Sequence, residues 1–150
     1  MYDTLFLDRD GVINKKLEGR YVTNFNEFVF IKNSDIAIRK LYKIFKRILI
    51  VTNQQGIGKG IMTENDLNLL HQQMQRKLNT DYDLIAKIYF CPCLEEKNCN
   101  CRKPKPGLYN DISERLRVSL NKVFWNSLVS CKWNSVYLFS SSKYFLTSGK

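Results

Sequence analysis

Leu5-Phe6-Leu7-Asp8-Arg9-Asp10-Gly11-Val12-Ile13-Asn14 decides how this chain is read. Its apolar run, Leu5 to Leu7, has the composition of a strand buried on both faces of a parallel sheet. The run ends in two carboxylates, Asp8 and Asp10, two residues apart and so on one side of an extended backbone. Gly11 follows, and glycine turns a backbone most freely. Ligands of open α/β sheets bind beyond the carboxyl ends of the strands, where both acids fall. Asp8 suits a carboxylate nucleophile that takes a phosphoryl group as an aspartyl-phosphate. Asp10 suits a general acid for the leaving oxygen and then a base for the attacking water. The pair also suits Mg²⁺, a hard cation that prefers oxygen ligands. Taken alone, Asp-x-Asp-Gly reads equally well as a polar turn after a strand.

A second strand ends in the same manner. Ile48-Leu49-Ile50-Val51 is β-branched and apolar, and it runs into Thr52-Asn53-Gln54-Gln55-Gly56-Ile57-Gly58. A hydroxyl and an amide at a carboxyl edge can donate to phosphate oxygens. Gly56 and Gly58 permit a close backbone approach. The third glycine of a dinucleotide fingerprint is misplaced, and no GxxxxGK[ST] occurs, so a P-loop kinase is disfavoured.

A third stretch follows an apolar strand read over Leu84 to Phe90. Cys91, Cys93, Cys99 and Cys101, four of the five cysteines, form two C-x-C pairs about a five-residue loop. In a cytoplasmic protein that pattern favours a metal over disulfides. Four thiolates fill a tetrahedral Zn²⁺ site and make it structural. A redox pair or disulfide cluster is the competing reading. Arg102-Lys103-Pro104-Lys105-Pro106-Gly107 comes next. An ammonium at Lys103 suits neutralising a carboxylate against incoming phosphate. The guanidinium of Arg102 suits bidentate contact with a second, distal phosphate.

Together DRDGVIN, VTNQQGIG and the cysteine loop with RKPKPG resemble the haloacid dehalogenase-like phosphatases. The nearest branch holds heptose bisphosphate phosphatase and histidinol-phosphatase. The resemblance covers residues 4–118. It implies a three-layer α/β/α Rossmann-like fold with a mostly parallel sheet of at least four strands, a zinc-binding loop and no large cap domain. It implies Asp8, Asp10, Thr52 and Lys103 as catalytic residues, and Asn53, Gln54, Gln55, Arg102 and Lys103 as substrate-binding residues. Asp8 and Asp10 would carry Mg²⁺, and Cys91, Cys93, Cys99 and Cys101 would carry Zn²⁺. The implied reaction is Mg²⁺-dependent hydrolysis of a sugar bisphosphate, first a heptose 1,7-bisphosphate, with histidinol phosphate as the alternative. The zinc loop of that branch usually has His at its second ligand position, where Cys93 stands here.

The intervening chain supplies cover for the sheet. Lys15 to Asn33 reads as an irregular loop, long enough to cover a site. Ser34 reads as an N-cap with Asp35 in the first turn. Ala37, Leu41, Ile44 and Phe45 follow at helical spacing. Thr63-Glu64-Asn65-Asp66 reads as a capping box, before a stripe of Leu67, Leu70, His71, Met74 and Leu78. His71, the only histidine, falls mid-helix and reads as a packing or surface residue, which disfavours a histidine triad. Leu108 to Val118 reads as a helix with Leu108, Ile112 and Leu116 on one face.

The composition changes towards the C-terminus. With 150 residues, 44% hydrophobic and 25% charged, the chain fits one globular domain. Its +10 net charge is uneven: residues 115–150 hold six Lys or Arg, no Asp or Glu, eight of ten Ser and both Trp. The implied fold needs a fourth strand ending in acids that complete the Mg²⁺ site. Here Lys122 to Ser130 puts Trp125-Asn126 in place of Gly-Asp and Ser130 near the second acid, and no carboxylate follows Glu114. Two accounts compete: a divergent protein with altered metal use, or a frame change in the coding sequence near residue 125. Val136 to Phe139 reads as a short strand in either account. No apolar stretch approaches the roughly 20 residues of a membrane helix. Met1 to Thr4 shows no signal pattern. The expected setting is cytoplasmic, with a small sugar phosphate as partner, no membrane, no nucleic acid and a monomer. Two further readings stand beside the phosphatase. One is a nucleic-acid-binding zinc module, favoured by the charge and the Cys₄ knuckle and tested by salt-dependent binding. The other is an inactive relative that binds a sugar phosphate without turnover, favoured by the missing acids.

Overall fold

The computed structural model describes residues 3–79 and 83–126. Four strands lie parallel in the order β3-β2-β1-β4: β1 Thr4–Leu7, β2 Arg47–Asn53, β3 Lys87–Cys91 and β4 Val123–Asn126. Leu5 pairs with Ile48 on one side and Phe124 on the other, and Leu7 with Ile50 and Asn126.

The strands alternate between two cores. Leu5, Leu7, Ile48 and Ile50 pack with Ile38, Leu41, Leu70, Met74 and Leu78. Phe6, Leu49 and Val51 pack with Leu108, Tyr109, Ile112 and Val123. The helices therefore fall on opposite faces: α1 (Ser34–Tyr42) and α3 (Glu64–Leu78) on one, α4 (Gly107–Leu116) on the other. This is the expected α/β/α layering, and it explains why β1 and β2 read as continuous apolar runs. Each fully buried Leu or Ile contributes roughly 1.5–3 kcal/mol.

The capping box at Thr63 is present in full: Thr63 Oγ1 accepts the Asp66 N–H, and Asp66 accepts the Thr63 N–H. The start of α1 departs from expectation. Asn33, left-handed at φ 65°, occupies the cap position, while Ser34 Oγ donates to Ile13 O at 3.0 Å and ties the helix to the loop after β1. α1 stops at Tyr42, so Ile44 is 61% exposed although Phe45 is buried. Leu84 to Ala86 lead into β3 rather than belonging to it, and Cys91 joins it. The Lys15–Asn33 loop carries one 3₁₀ turn, Phe25–Glu27, and pairs back to Asn14 through Phe30. Ser130, the residues around Val136 to Phe139 and the altered tail lie outside the described residues.

Candidate active site

β1 and β2 end side by side, and their last residues meet in a polar cleft of about 250 Å³. Asp8 stands at its floor. Its Oδ2 is 2.7 Å from Lys103 Nζ, and its Oδ1 accepts the Arg9 N–H at 2.8 Å. Lys103 Nζ also donates to Val51 O at 2.8 Å, which leaves its ammonium between β2 and the acid. Lys103 is placed by Asn53, whose Nδ2 donates to Lys103 O while Oδ1 accepts the Lys103 N–H, at 3.1 and 3.0 Å. A residue 50 positions away in sequence is thereby fixed to the end of β2.

Asp10 is gripped from below. Arg9 donates to it through Nε and Nη2, Asn14 through Nδ2 at 2.9 Å and Gln54 through Nε2 at 2.8 Å. Arg9 is only 1% exposed, so its charge is compensated almost entirely by this carboxylate. Gly11, at φ 83°, turns the backbone directly after Asp10 and lets Asn14 fold back onto it.

The structure therefore brings Asp8, Asp10, Thr52, Asn53, Gln55 and Arg102 to the cleft wall, with Lys103 on Asp8. Gln54 is not among them. It is buried, with Nε2 on Asp10 and Thr52 Oγ1 and Oε1 accepting from Arg9. It braces the site instead of facing a ligand. Gln55 faces the cleft and donates to Tyr21 OH at 2.7 Å.

Five further lining residues come from the loop after β1, none of them a site residue by sequence pattern: Lys16, Leu17, Arg20, Tyr21 and Val22. The length of that loop at a carboxyl edge was the available signal. Lys16, Arg20 and Arg102 line the cleft; Arg20 is paired with Glu27 at 3.2 Å, Arg102 with Glu95 at 3.5 Å, and Arg9 with Asp10.

Asp8 offers a carboxylate at a polar cleft, as a hard cation requires. The oxygens of Asp10 already accept five hydrogen bonds, so as arranged this carboxylate belongs to Arg9, Asn14 and Gln54 rather than to a metal. The backbone of β4 ends at Asn126 beside Leu7, placing the fourth strand at the same edge.

The four cysteine sulfurs lie within 4.8 Å of one another. Four of their six separations run from 2.7 Å for Cys91–Cys101 to 3.7 Å for Cys93–Cys101, none near the roughly 2.05 Å of a disulfide, and all four cysteines are free. A tetrahedral Zn²⁺ at about 2.3 Å from each would space them about 3.8 Å apart, so the cluster fits the ion with a small outward shift. Burial pushes the Cys91 thiol up to about 11 and Cys101 to about 12. The hydrogen bond with Cys93 brings Cys99 down to about 7. This loop is joined to the cleft: Gln54 N–H donates to Cys91 O and Gly58 N–H to Pro92 O. Arg102 Nη1 donates to Cys93 O, so the cysteine cluster sets where that guanidinium stands.

Residues 4–128 match the family model described as polynucleotide kinase 3 phosphatase. A D-glycero-alpha-D-manno-heptose-1,7-bisphosphate 7-phosphatase of Mycobacterium bovis is 43% identical over 111 residues, 74% of this chain and 58% of that protein. A D-glycero-beta-D-manno-heptose-1,7-bisphosphate 7-phosphatase of Helicobacter pylori is 36% identical over 121 residues, 80% of this chain and 69% of that protein. The crystal structure of the B. bronchiseptica D,D-heptose 1,7-bisphosphate phosphatase with magnesium and phosphate superposes with a TM-score of 0.73 at 34% identity, covering 79% of this chain and 65% of that one. The chain spans little more than half the length of the mycobacterial relatives it matches.

Proposed function

This chain belongs to the haloacid dehalogenase-like phosphatases, in their D-glycero-D-manno-heptose-1,7-bisphosphate 7-phosphatase family, and from that premise we propose that it removes one phosphate from a heptose bisphosphate. The observation that carries the reading is the Asp8–Lys103 contact of 2.7 Å in a cleft that Lys16, Arg20 and Arg102 also line. In the proposed reaction a carboxylate oxygen of Asp8 attacks phosphorus. The ester P–O bond breaks, and Asp10 gives a proton to the departing sugar oxygen. Water then attacks the aspartyl-phosphate, Asp10 takes its proton, and inorganic phosphate leaves with the Asp8 carboxylate restored. The Lys103 ammonium and the Thr52 hydroxyl hold the phosphoryl oxygens as charge develops on them. Asn53 keeps Lys103 in place. Arg102, with Lys16 and Arg20, receives the distal phosphate. Magnesium, when bound at Asp8, supplies further charge neutralisation to the phosphoryl group. The cysteine cluster carries zinc and fixes the loop that ends in Arg102.

The test is phosphate release with Mg²⁺ from the α and β anomers of heptose 1,7-bisphosphate and from histidinol phosphate. Turnover of a heptose bisphosphate over histidinol phosphate is expected, and the reverse preference would replace this substrate. A second reading has its own observation: no Asp or Glu follows Glu114, and Asn126 stands at the end of β4. In that reading the chain binds the sugar bisphosphate without hydrolysing it. Saturable binding with no phosphate release would favour it.

A further inference from the structure

His71 is a buried titratable side chain near the cleft that the proposed reaction leaves without a part. It sits in the middle of α3, 5% exposed, among the apolar side chains that hold this helix on the sheet. Its Nε2 is 3.2 Å from Nη1 of Arg9. A guanidinium has only donors, so Nε2 must be the acceptor and the ring proton must sit on Nδ1.

The contact closes a chain of buried polar groups. Arg9 spends Nε and Nη2 on Asp10, a further Nη2 contact on Gln54 Oε1, and Nη1 on His71. Gln54 in turn reaches Asp10 and Thr52. Without an acceptor at residue 71, Nη1 would face an apolar core with a donor unmatched. An unmatched buried donor is costly enough that the guanidinium would swing to find a partner. The fork that meets Asp10 is rigid and planar, so it cannot turn at Nη1 without tilting at Nε and Nη2.

We propose that His71 is a positioning residue: its Nε2 lone pair fixes the Arg9 guanidinium, which in turn sets the angle of the Asp10 carboxyl towards the leaving oxygen. The proposal rests on the reaction assigned above to Asp10. Burial and the Arg9 charge lower the His71 pKa to about 3, in keeping with an imidazole that stays neutral and accepts.

His71→Gln keeps an acceptor at similar reach, and His71→Phe fills the space without one. In the phosphate-release assay we expect His71→Phe to lower kcat roughly tenfold or more with KM within about twofold, and His71→Gln to recover most of it. Equal losses in both variants, or none in either, would overturn the positioning role. If His71→Phe does not fold, His71→Asn, too short to reach Arg9, replaces it with the same expectation. Two spectroscopic arms need no turnover. Since the chain has a single histidine, its imidazole ¹⁵N signals are unambiguous. They should show the Nδ1–H tautomer, unchanged between about pH 5.5 and 8. The Asp10 carboxyl ¹³C signal should move in the Phe variant and return in the Gln variant. An Nε2–H tautomer, or an Asp10 signal indifferent to residue 71, would end the proposal. A wild type that releases no phosphate but passes both spectroscopic arms would refute the assigned reaction and leave the positioning contact standing.

Discussion

Asn53 and Lys103 show how a single side chain can place another from 50 residues away. The amide of Asn53 both donates to and accepts from the Lys103 backbone, so Asn53→Ala removes two hydrogen bonds, worth about 1–3 kcal/mol together. Its expected effect is a lower kcat with the Lys103 charge still present. Lys103→Met, which keeps the stem and removes the ammonium, should cost roughly 10²- to 10³-fold in kcat, as losing a transition-state charge contact does. Steady-state phosphate release on the two variants checks both, and a Lys103→Met enzyme as fast as the wild type would remove Lys103 from the chemistry. Much at this scale was legible. Asp8 and Lys103 were readable because strand ends and proline-stiffened turns constrain where a residue sits. Gln54 was not, because one dihedral at a strand end decides whether a side chain enters the cleft or turns beneath it. Arg9 lay unread between the two acids, since spacing gives no sign that a guanidinium will be buried against its own neighbour. Lys16, Arg20 and Tyr21 depend on how a long loop folds back, which no local pattern specifies.

Elements are held to the site by a few identifiable contacts, and each has a measurable consequence. The cysteine loop leans on α2 (Gln55–Gly58) so closely that a Cβ at Gly58 would lie 2.6 Å from Pro92 O. Gly58→Ala must push that backbone away and should destabilise by about 1–3 kcal/mol, read in urea unfolding. Removing zinc with a chelator should release one ion per chain, lower Tm and weaken binding of a bisphosphate more than of inorganic phosphate, because Arg102 loses its support. Acid should have the same effect as the chelator, since protons compete with zinc for the four thiolates as the pH falls. Zinc retention measured against pH checks this.

Helix α3 carries a different pH signature. His71 titrates near 6.5 when unfolded and near 3 when folded, so the unfolded chain binds the extra proton between those values. The stability it permits is complete above about pH 6.5 and declines as pH falls towards 3. Between pH 7 and pH 5 the loss amounts to about 2 kcal/mol. Unfolding of wild type and His71→Gln over that range should show the wild type losing this amount relative to the variant. Parallel pH curves would mean that His71 is not buried as described. Of the elements themselves, α3 was readable from end to end because its capping box is local. α1 was extended by two apolar residues beyond Tyr42: Ile44 and Phe45 continue the helical spacing after the backbone has left the helix. Ser34 has the residue type of a cap, but its hydroxyl reaches Ile13 across the fold.

At the scale of the molecule, two cores back to back hold a four-stranded parallel sheet whose carboxyl edge gathers the cleft. Among the described residues no helix is long and apolar enough to cross a membrane. The layering was legible because strands buried on both faces must be apolar throughout, while helices show one stripe. The chemistry of the fourth strand's end was less legible, since Asn126 stands where the family pattern has an acid. The proposed reaction stands on Asp8 taking the phosphoryl group, with Lys103 beside it. Its most direct test is phosphate release from heptose 1,7-bisphosphate by the wild type and Asp8→Asn, each folded, zinc-loaded and supplied with Mg²⁺. Turnover is expected in the wild type and none in Asp8→Asn. Turnover that survives the substitution would contradict it.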